Sequence, residues 1–94
     1  MDKTRIIVVE DNIVYCEYIC NMLAREGYDT VKAYHLSTAK KQLQQAADDD
    51  IVVSDLRLPD GDGIELLRWM RKEGKMQPFI IMTCLLYTSP SPRD

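Results

Sequence analysis

Short apolar runs separated by helix-length stretches constrain the fold of this chain more than any other feature. Residues 6–9, 51–54 and 79–83 are free of charged side chains and rich in β-branched residues. Such unbroken runs are typical of strands that are covered on both faces of a parallel sheet. A shorter strand is predicted at about residues 29–33. Four strands and three intervening stretches therefore predict the order βαβαβαβ.

The stretches between the strands carry helix signals. Asn12 is suited to cap a first helix over residues 13–26, and Gly27 suits its end. A second helix is predicted over residues 37–47, and His35 before it is expected to be a surface or capping residue. The side chains predicted to face inward from these two helices are Tyr15, Tyr18, Ile19 and Met22 in the first, and Ala39, Leu43, Ala46 and Ala47 in the second.

A third helix is predicted over residues 63–72. Asp62 followed three places later by Glu65 forms a capping-box pattern that begins this helix. Helical spacing allows two buried faces, one with Ile64, Leu67 and Met70 and the other with Leu66 and Trp69.

Parallel crossovers are right-handed, so this order of elements predicts an α/β fold, a doubly wound parallel sheet with helices on both faces. A sheet of this kind ordinarily continues with a further helix, strand and helix. Residues 84–94 instead have two prolines and no helical period. We therefore predict an incomplete domain over residues 4–83, with four of five strands, followed by an irregular tail.

Composition argues against several classes of protein. Twelve basic and fifteen acidic side chains give a formal net charge of -3, so direct binding of nucleic acid is not expected. The apolar runs are too short to cross a bilayer, and no leader-like segment opens the chain, which predicts a cytoplasmic protein without membrane contact. The three cysteines do not form a disulfide framework, and Cys16 and Cys20 are predicted to be packed thiols.

Acidic residues follow two of the predicted strands. Glu10 and Asp11 come after the first strand and Asp55 after the third, while Thr83 ends the fourth. Ligands of doubly wound sheets collect where the carboxyl ends of the strands meet, so these side chains are expected to converge. Carboxylates held close together need a compensating cation, and their hard oxygen atoms suit Mg²⁺ or Mn²⁺.

Three segments around these acids form a specific pattern. They are Val-Val-Glu-Asp-Asn at residues 8–12, Ile-Val-Val-Ser-Asp-Leu-Arg-Leu-Pro-Asp-Gly-Asp-Gly at 51–63 and Ile-Ile-Met-Thr at 80–83. The most specific part is an aspartate that ends the third strand, with a proline four residues later and a glycine eight residues later. In these segments the chain resembles the receiver domain of bacterial two-component response regulators, which has a flavodoxin-like fold.

This resemblance implies that Asp55 accepts a phosphoryl group from a sensor histidine kinase. It further implies that Mg²⁺ is held by Glu10, Asp11, Asp55 and the backbone carbonyl of Arg57, and that Thr83 bonds the phosphoryl group as a switch. The domain would then signal to an output domain in a longer parent protein, with transcriptional control expected. It would be a signalling domain, not an enzyme, with Mg²⁺-assisted phosphorylation and dephosphorylation of itself at most.

Two other readings compete with phosphoryl transfer. A receiver-like domain that is never phosphorylated would act through protein contacts alone. This alternative stays open because the family's phosphoryl-contacting lysine ends a fifth strand, which is not predicted here. Lys75 precedes the fourth strand and cannot replace that lysine. A phosphatase of the haloacid-dehalogenase kind needs a second aspartate two residues after the first, where this chain has Arg57.

Overall fold

The computed structural model describes residues 3–82, so Thr83 and the predicted tail at 84–94 lie outside the described residues. The predicted alternation of strands and helices is confirmed. The strands are β1 (Arg5–Val9), β2 (Asp29–Ala33), β3 (Ile51–Asp55), β4 (Arg57–Leu58), β5 (Gly61–Asp62) and β6 (Phe79–Met82). The helices are α1 (Ile13–Arg25), α2 (Leu36–Gln44) and α3 (Gly63–Lys72).

The four longer strands form one parallel sheet in the order β2-β1-β3-β6. In its register Val9 lies opposite Ser54, and Asp55 lies opposite Met82. The carboxyl ends of β1 and β3 are therefore neighbours at one edge of the sheet. The remaining strands, β4 and β5, pair antiparallel in a small hairpin within the β3–α3 loop, which the sequence did not predict.

Helices cover both faces of the sheet, as predicted. Successive side chains of a strand point to opposite faces, so β1 contributes Ile6 and Val8 to one core and Ile7 and Val9 to the other. The first core packs against α1 and also buries Cys16, Ile19 and Cys20. The second lies under α2 and α3 and includes Leu36, Ala39, Leu43, Val52, Leu66 and Met70.

The buried face of α1 matches the predicted one only in part. Ile19 is buried and Tyr15 packs against the core, as predicted, but Tyr18 and Met22 are 58% and 45% exposed. Cys16 and Cys20 are buried as free thiols, in agreement with their prediction as packed thiols. Apolar residues occur on nearly every side of this helix, so helical spacing fits more than one face. Contact with β1 selects the face that carries the two small thiols, and burial raises the pKa of Cys16 to about 12.

The other two helices mostly match the prediction. The α2 helix ends at Gln44, three residues before its predicted end, and Ala47 is exposed in the turn that follows. That turn is closed by Asp50, whose backbone N–H donates to the carbonyl of Ala47 and whose side chain accepts from the Ala47 N–H. The bounds of α3 are as predicted, and its buried residues, Gly63, Leu66 and Met70, draw on both of the alternative faces.

The predicted caps of α1 and α3 are both present. The side chain of Asn12 accepts a hydrogen bond from the backbone N–H of Tyr15 at 2.9 Å. The side chain of Asp62 accepts one from the backbone N–H of Glu65 at 2.8 Å, which is the first half of the predicted capping box.

Candidate functional site

Three acidic side chains meet at the carboxyl edge of the sheet. Glu10 and Asp55 are only 2% and 6% exposed, and Asp11 lies on the surface beside them. One carboxylate oxygen from each of the three lies within 4.8 Å of the others. The backbone N–H of Glu10 donates to the carbonyl of Ala33 at 2.9 Å, which ties the end of β1 to the end of β2. The expected convergence of the three acids is therefore present.

The surroundings of Glu10 disfavour its charged form. Its Oε2 accepts a hydrogen bond from the backbone N–H of Asn12 at 2.9 Å, but its buried Oε1 has no hydrogen-bond partner within residues 3–82. Burial, as the largest cause, raises the pKa of Glu10 from 4.5 to about 7. The Asn12 N–H opposes this shift, while the nearby carboxylates of Asp55 and Asp11 increase it.

Hydrogen bonds from the two neighbouring residues fix the position of Asp55. Its Oδ1 accepts a hydrogen bond from the N–H of Leu56 at 2.8 Å, and its own carbonyl accepts one from the Ser54 hydroxyl at 2.9 Å. Gly63 passes directly over this carbonyl, because a Cβ atom added there would lie 2.6 Å from the Asp55 oxygen. A glycine at this position is thus a steric requirement, since any side chain would push the loop away from Asp55.

The donor set fits a small divalent cation. Three carboxylates crowd together, and one buried carboxylate oxygen has no hydrogen-bond donor among the residues that the structure describes. Hard oxygen ligands are those that Mg²⁺ prefers, and a doubly charged cation removes the repulsion that otherwise opposes their grouping.

A known family shares this arrangement of sequence and fold. The sequence model of the response regulator receiver domain matches residues 6–88. The chain belongs to this family. The boundary predicted between residues 83 and 84 is not decided by the match and stays a prediction.

Curated relatives of this receiver domain include transcriptional regulators. It is 31% identical over 87 residues to the probable transcriptional regulatory protein SilR of Salmonella typhimurium. It is 31% identical over 81 residues to the phosphate regulon transcriptional regulatory protein PhoB of Escherichia coli. These alignments cover 86% and 84% of the chain but 35% of each relative. The chain thus spans about a third of the length of these proteins.

Solved structures confirm the doubly wound, flavodoxin-like fold of the receiver domain. The response regulator TrrA of Thermotoga maritima, in complex with Mg²⁺ and beryllium fluoride, is 30% identical with a TM-score of 0.80. That alignment covers 92% of this chain and 75% of TrrA. The non-phosphorylated HemR receiver domain of Leptospira biflexa is 34% identical with a TM-score of 0.78, over 95% of this chain and 68% of that one.

The predicted roles of two further site residues are not tested by the structure. Arg57 begins β4 two residues after Asp55 and pairs with Asp62 across the hairpin. Its backbone carbonyl as a metal ligand stays a prediction. Thr83 lies outside the described residues, so its contact with a phosphoryl group also stays a prediction.

Asp60 is a structural contact of the receiver domain that the sequence did not predict. Its carboxylate accepts hydrogen bonds from the backbone N–H groups of Leu36 at 2.8 Å and Ser37 at 3.2 Å, at the first turn of α2. The Leu36 bond is the main reason that the pKa of Asp60 is lowered. His35 stands at the N-cap position of α2 without a side-chain cap bond. An uncapped helix start is a signal that a distant residue supplies the cap.

None of the helices within residues 3–82 is long and apolar enough to cross a membrane.

Proposed function

We propose that Asp55 of this receiver domain accepts a phosphoryl group from the phosphohistidine of a sensor histidine kinase. The observation that carries the proposal is the buried Asp55 carboxylate at the end of β3, with the carboxylates of Glu10 and Asp11 within 4.8 Å. Membership of the receiver family supports it. The domain is a signalling module whose only chemistry is its own phosphorylation and dephosphorylation.

Mg²⁺ is the cofactor of this proposal. Its ligands are the carboxylates of Glu10, Asp11 and Asp55 and the backbone carbonyl of Arg57. The crowding of the carboxylates and the lack of a described hydrogen-bond partner for Oε1 of Glu10 support this assignment, as does the Mg²⁺ complex of the related TrrA. When bound, the cation supplies positive charge that offsets the charge of the carboxylates and of the incoming phosphoryl group.

The residues around Asp55 orient it for transfer. An oxygen of the Asp55 carboxylate forms a bond to phosphorus, while the bond from phosphorus to the histidine nitrogen breaks and its electron pair returns to the imidazole. The N–H of Leu56 holds Oδ1 and keeps the carboxylate in one orientation. The Thr83 hydroxyl donates a hydrogen bond to the transferred group. Transfer of this kind depends on positioning and on compensation of charge.

The signal then passes to an output domain in a longer parent protein. The transcriptional regulators SilR and PhoB support transcriptional control as the output, and the chain spans 35% of their length. The receiver domain acts in the cytoplasm through its kinase and its output domain. It contacts neither nucleic acid nor a membrane itself.

Labelling with a small phosphoryl donor tests the proposal. The protein is incubated with acetyl phosphate and Mg²⁺, and intact-mass spectrometry measures the addition of one phosphoryl group. Wild type and the control Asp48→Asn are expected to be labelled, whereas Asp55→Asn and wild type in excess chelator are not. Asp48 is a suitable control because it is an exposed aspartate outside the site.

Trapping with borohydride locates the modification, because reduction of an aspartyl phosphate converts that one residue to homoserine. Homoserine at position 55 is the expected result. Equal labelling of Asp55→Asn, or an unlabelled wild type with Mg²⁺ present, would overturn the proposal. The second of these results would favour a receiver-like domain that acts through protein contacts alone.

A further inference from the structure

The start of α2 is held by the loop that follows Asp55. The first N–H groups of a helix have no partner within it and need an acceptor. His35 at the N-cap position makes no side-chain cap bond, and the carboxylate of Asp60 accepts from both Leu36 and Ser37 instead. A carboxylate suits this place, since the positive end of the helix dipole attracts it. The cap of α2 thus comes from a residue 24 positions further along the chain.

Asp60 is also the polar anchor of that loop. Leu56 and Gly63 are bonded at the two ends of the loop, to Met82 and to each other. Between them, in the part of the chain that the structure describes, the hydrogen bonds from residues 57–61 to an element outside the loop are those of Asp60.

Close packing reinforces this anchor. A Cβ atom added at Gly61 would lie 2.6 Å from Cδ2 of Leu36, so the loop backbone rests against the first residue of α2. Leu58 is buried in the same core cluster as Leu36. The loop therefore has one polar and one apolar contact with α2, made five and six residues after Asp55.

We propose that Asp60 is a positioning residue for the site at Asp55. Its two bonds to α2 hold the loop so that the Leu56 N–H and the Arg57 carbonyl stay in register with the acidic side chains. This inference rests on the proposed function. Groups that hold a metal or a reacting atom must stay within about 0.5 Å of their working positions, and the anchor lies only three residues from Arg57.

Three variants test the proposal. Asp60→Ala removes the acceptor oxygens, Asp60→Asn keeps one of them, and Asp48→Ala is a matched control at the other end of α2. Mg²⁺ affinity and the rate of labelling by acetyl phosphate are measured well below the unfolding temperature of each variant. We expect Asp60→Ala to lose about tenfold in both quantities. Asp60→Asn and Asp48→Ala are expected to stay within about twofold of wild type.

Amide resonances provide a readout that does not depend on phosphorylation. The Leu56 and Arg57 amides are expected to shift in metal-free Asp60→Ala and to keep their positions in Asp60→Asn. Unshifted amides in Asp60→Ala overturn the proposal, as does a Mg²⁺ affinity equal to that of Asp48→Ala. An Asp60→Asn variant as impaired as Asp60→Ala also overturns it, because the acceptor oxygen that asparagine retains would then not anchor the loop. Absence of labelling in wild type refutes the proposed function, while the amide shifts still decide whether Asp60 positions the loop.

Discussion

Both ends of the sheet bury acidic side chains, but the hydrogen-bond partners of Asp50 at the amino end differ from those of Glu10 at the carboxyl end. At the amino end, Asp50 is 4% exposed and accepts two hydrogen bonds from the Arg5 guanidinium, at 2.8 and 3.1 Å, and a third from the Ala47 N–H. At the carboxyl end, Glu10 is equally buried but receives one backbone N–H bond and has two other acids beside it.

This difference is the one expected between an acid that supports the fold and an acid that is proposed to bind a cation. A buried charge stabilises a protein only when its partners replace the water it has lost. Asp50 has such partners within the chain, whereas Glu10 lacks them among the described residues and has a raised pKa. Within residues 3–82, Glu10 therefore has a buried carboxylate oxygen without a hydrogen-bond donor and two acids beside it, which is the physical argument for the proposed Mg²⁺.

The largest effect is expected at the amino end. Asp50→Ala leaves the Arg5 side chain, which is 39% exposed, and the Ala47 N–H without their acceptor, so we expect a loss of about 2–3 kcal/mol in the free energy of unfolding. Urea unfolding monitored by circular dichroism measures it. The exposed neighbour Asp48→Ala should change stability by less than about 0.5 kcal/mol. Equal losses in the two variants would show that Asp50 does not support the fold in this way.

Gly63→Ala tests backbone packing at the carboxyl end separately from charge. The added Cβ would lie 2.6 Å from the Asp55 carbonyl oxygen, so the loop must shift. We expect the free energy of unfolding to fall by about 2 kcal/mol and Mg²⁺ binding to weaken. Gly74→Ala is the matched control. It is strained by its φ of +79° but has open space around it, so it should cost about 1 kcal/mol and leave Mg²⁺ binding unchanged. The steric explanation fails if both variants bind Mg²⁺ as wild type does.

We expect Glu10→Gln to raise the free energy of unfolding, whereas Asp50→Ala lowers it. Because the pKa of Glu10 is about 7 in the folded protein and 4.5 ordinarily, the folded state holds this proton more tightly than the unfolded state. The stability of the metal-free wild type therefore falls as pH rises from about 4.5 to about 7. Glutamine cannot ionise, so the variant avoids this loss of stability. We therefore expect its free energy of unfolding to exceed that of wild type by about 1–2 kcal/mol at pH 8 and by almost nothing at pH 4.5.

Urea unfolding without Mg²⁺ at both pH values measures this gain. Asp50→Asn provides the contrast, since it should lower stability at pH 8. A Glu10→Gln variant that is less stable than wild type at pH 8 would mean that the chain already compensates the Glu10 charge.

Sequence reasoning succeeded where local pattern and topology decide the outcome. Asp55 follows an unbroken β-branched run, so its place at the end of a strand is local information. Its meeting with Glu10 follows once β1 and β3 are neighbours in a parallel sheet. The bounds of α3 were predicted correctly because the Asp62 cap and Gly74 mark its two ends within a few residues of sequence.

Features that depend on contacts between distant parts of the chain could not be predicted from the sequence. The buried face of α1 depends on which side meets β1, and a helix with apolar residues all around gives no local preference. The cap that Asp60 supplies to Leu36 joins residues 24 positions apart, so no local motif contains it. That Oε1 of Glu10 has no hydrogen-bond partner within residues 3–82 is likewise visible only when its neighbours in space are known.

The smallest expected effect is a dependence of Mg²⁺ affinity on pH, caused by the raised pKa of Glu10 at the proposed Mg²⁺ site. A cation and a proton compete for the same carboxylate, so apparent Mg²⁺ affinity should rise with pH up to about 7 and then level off. At ten times the dissociation constant measured at pH 8, Mg²⁺ should stabilise the wild type by about 1.4 kcal/mol. The same Mg²⁺ concentration at pH 5.5 should stabilise the wild type by less than about half of that amount, because Glu10 is then mostly protonated.

Thermal midpoints with and without Mg²⁺ at the two pH values measure this difference in stabilisation. In Glu10→Gln the difference between the two pH values should be mostly absent. Equal stabilisation of the wild type at both pH values would mean that Glu10 is not a ligand, and that its raised pKa serves something other than the cation.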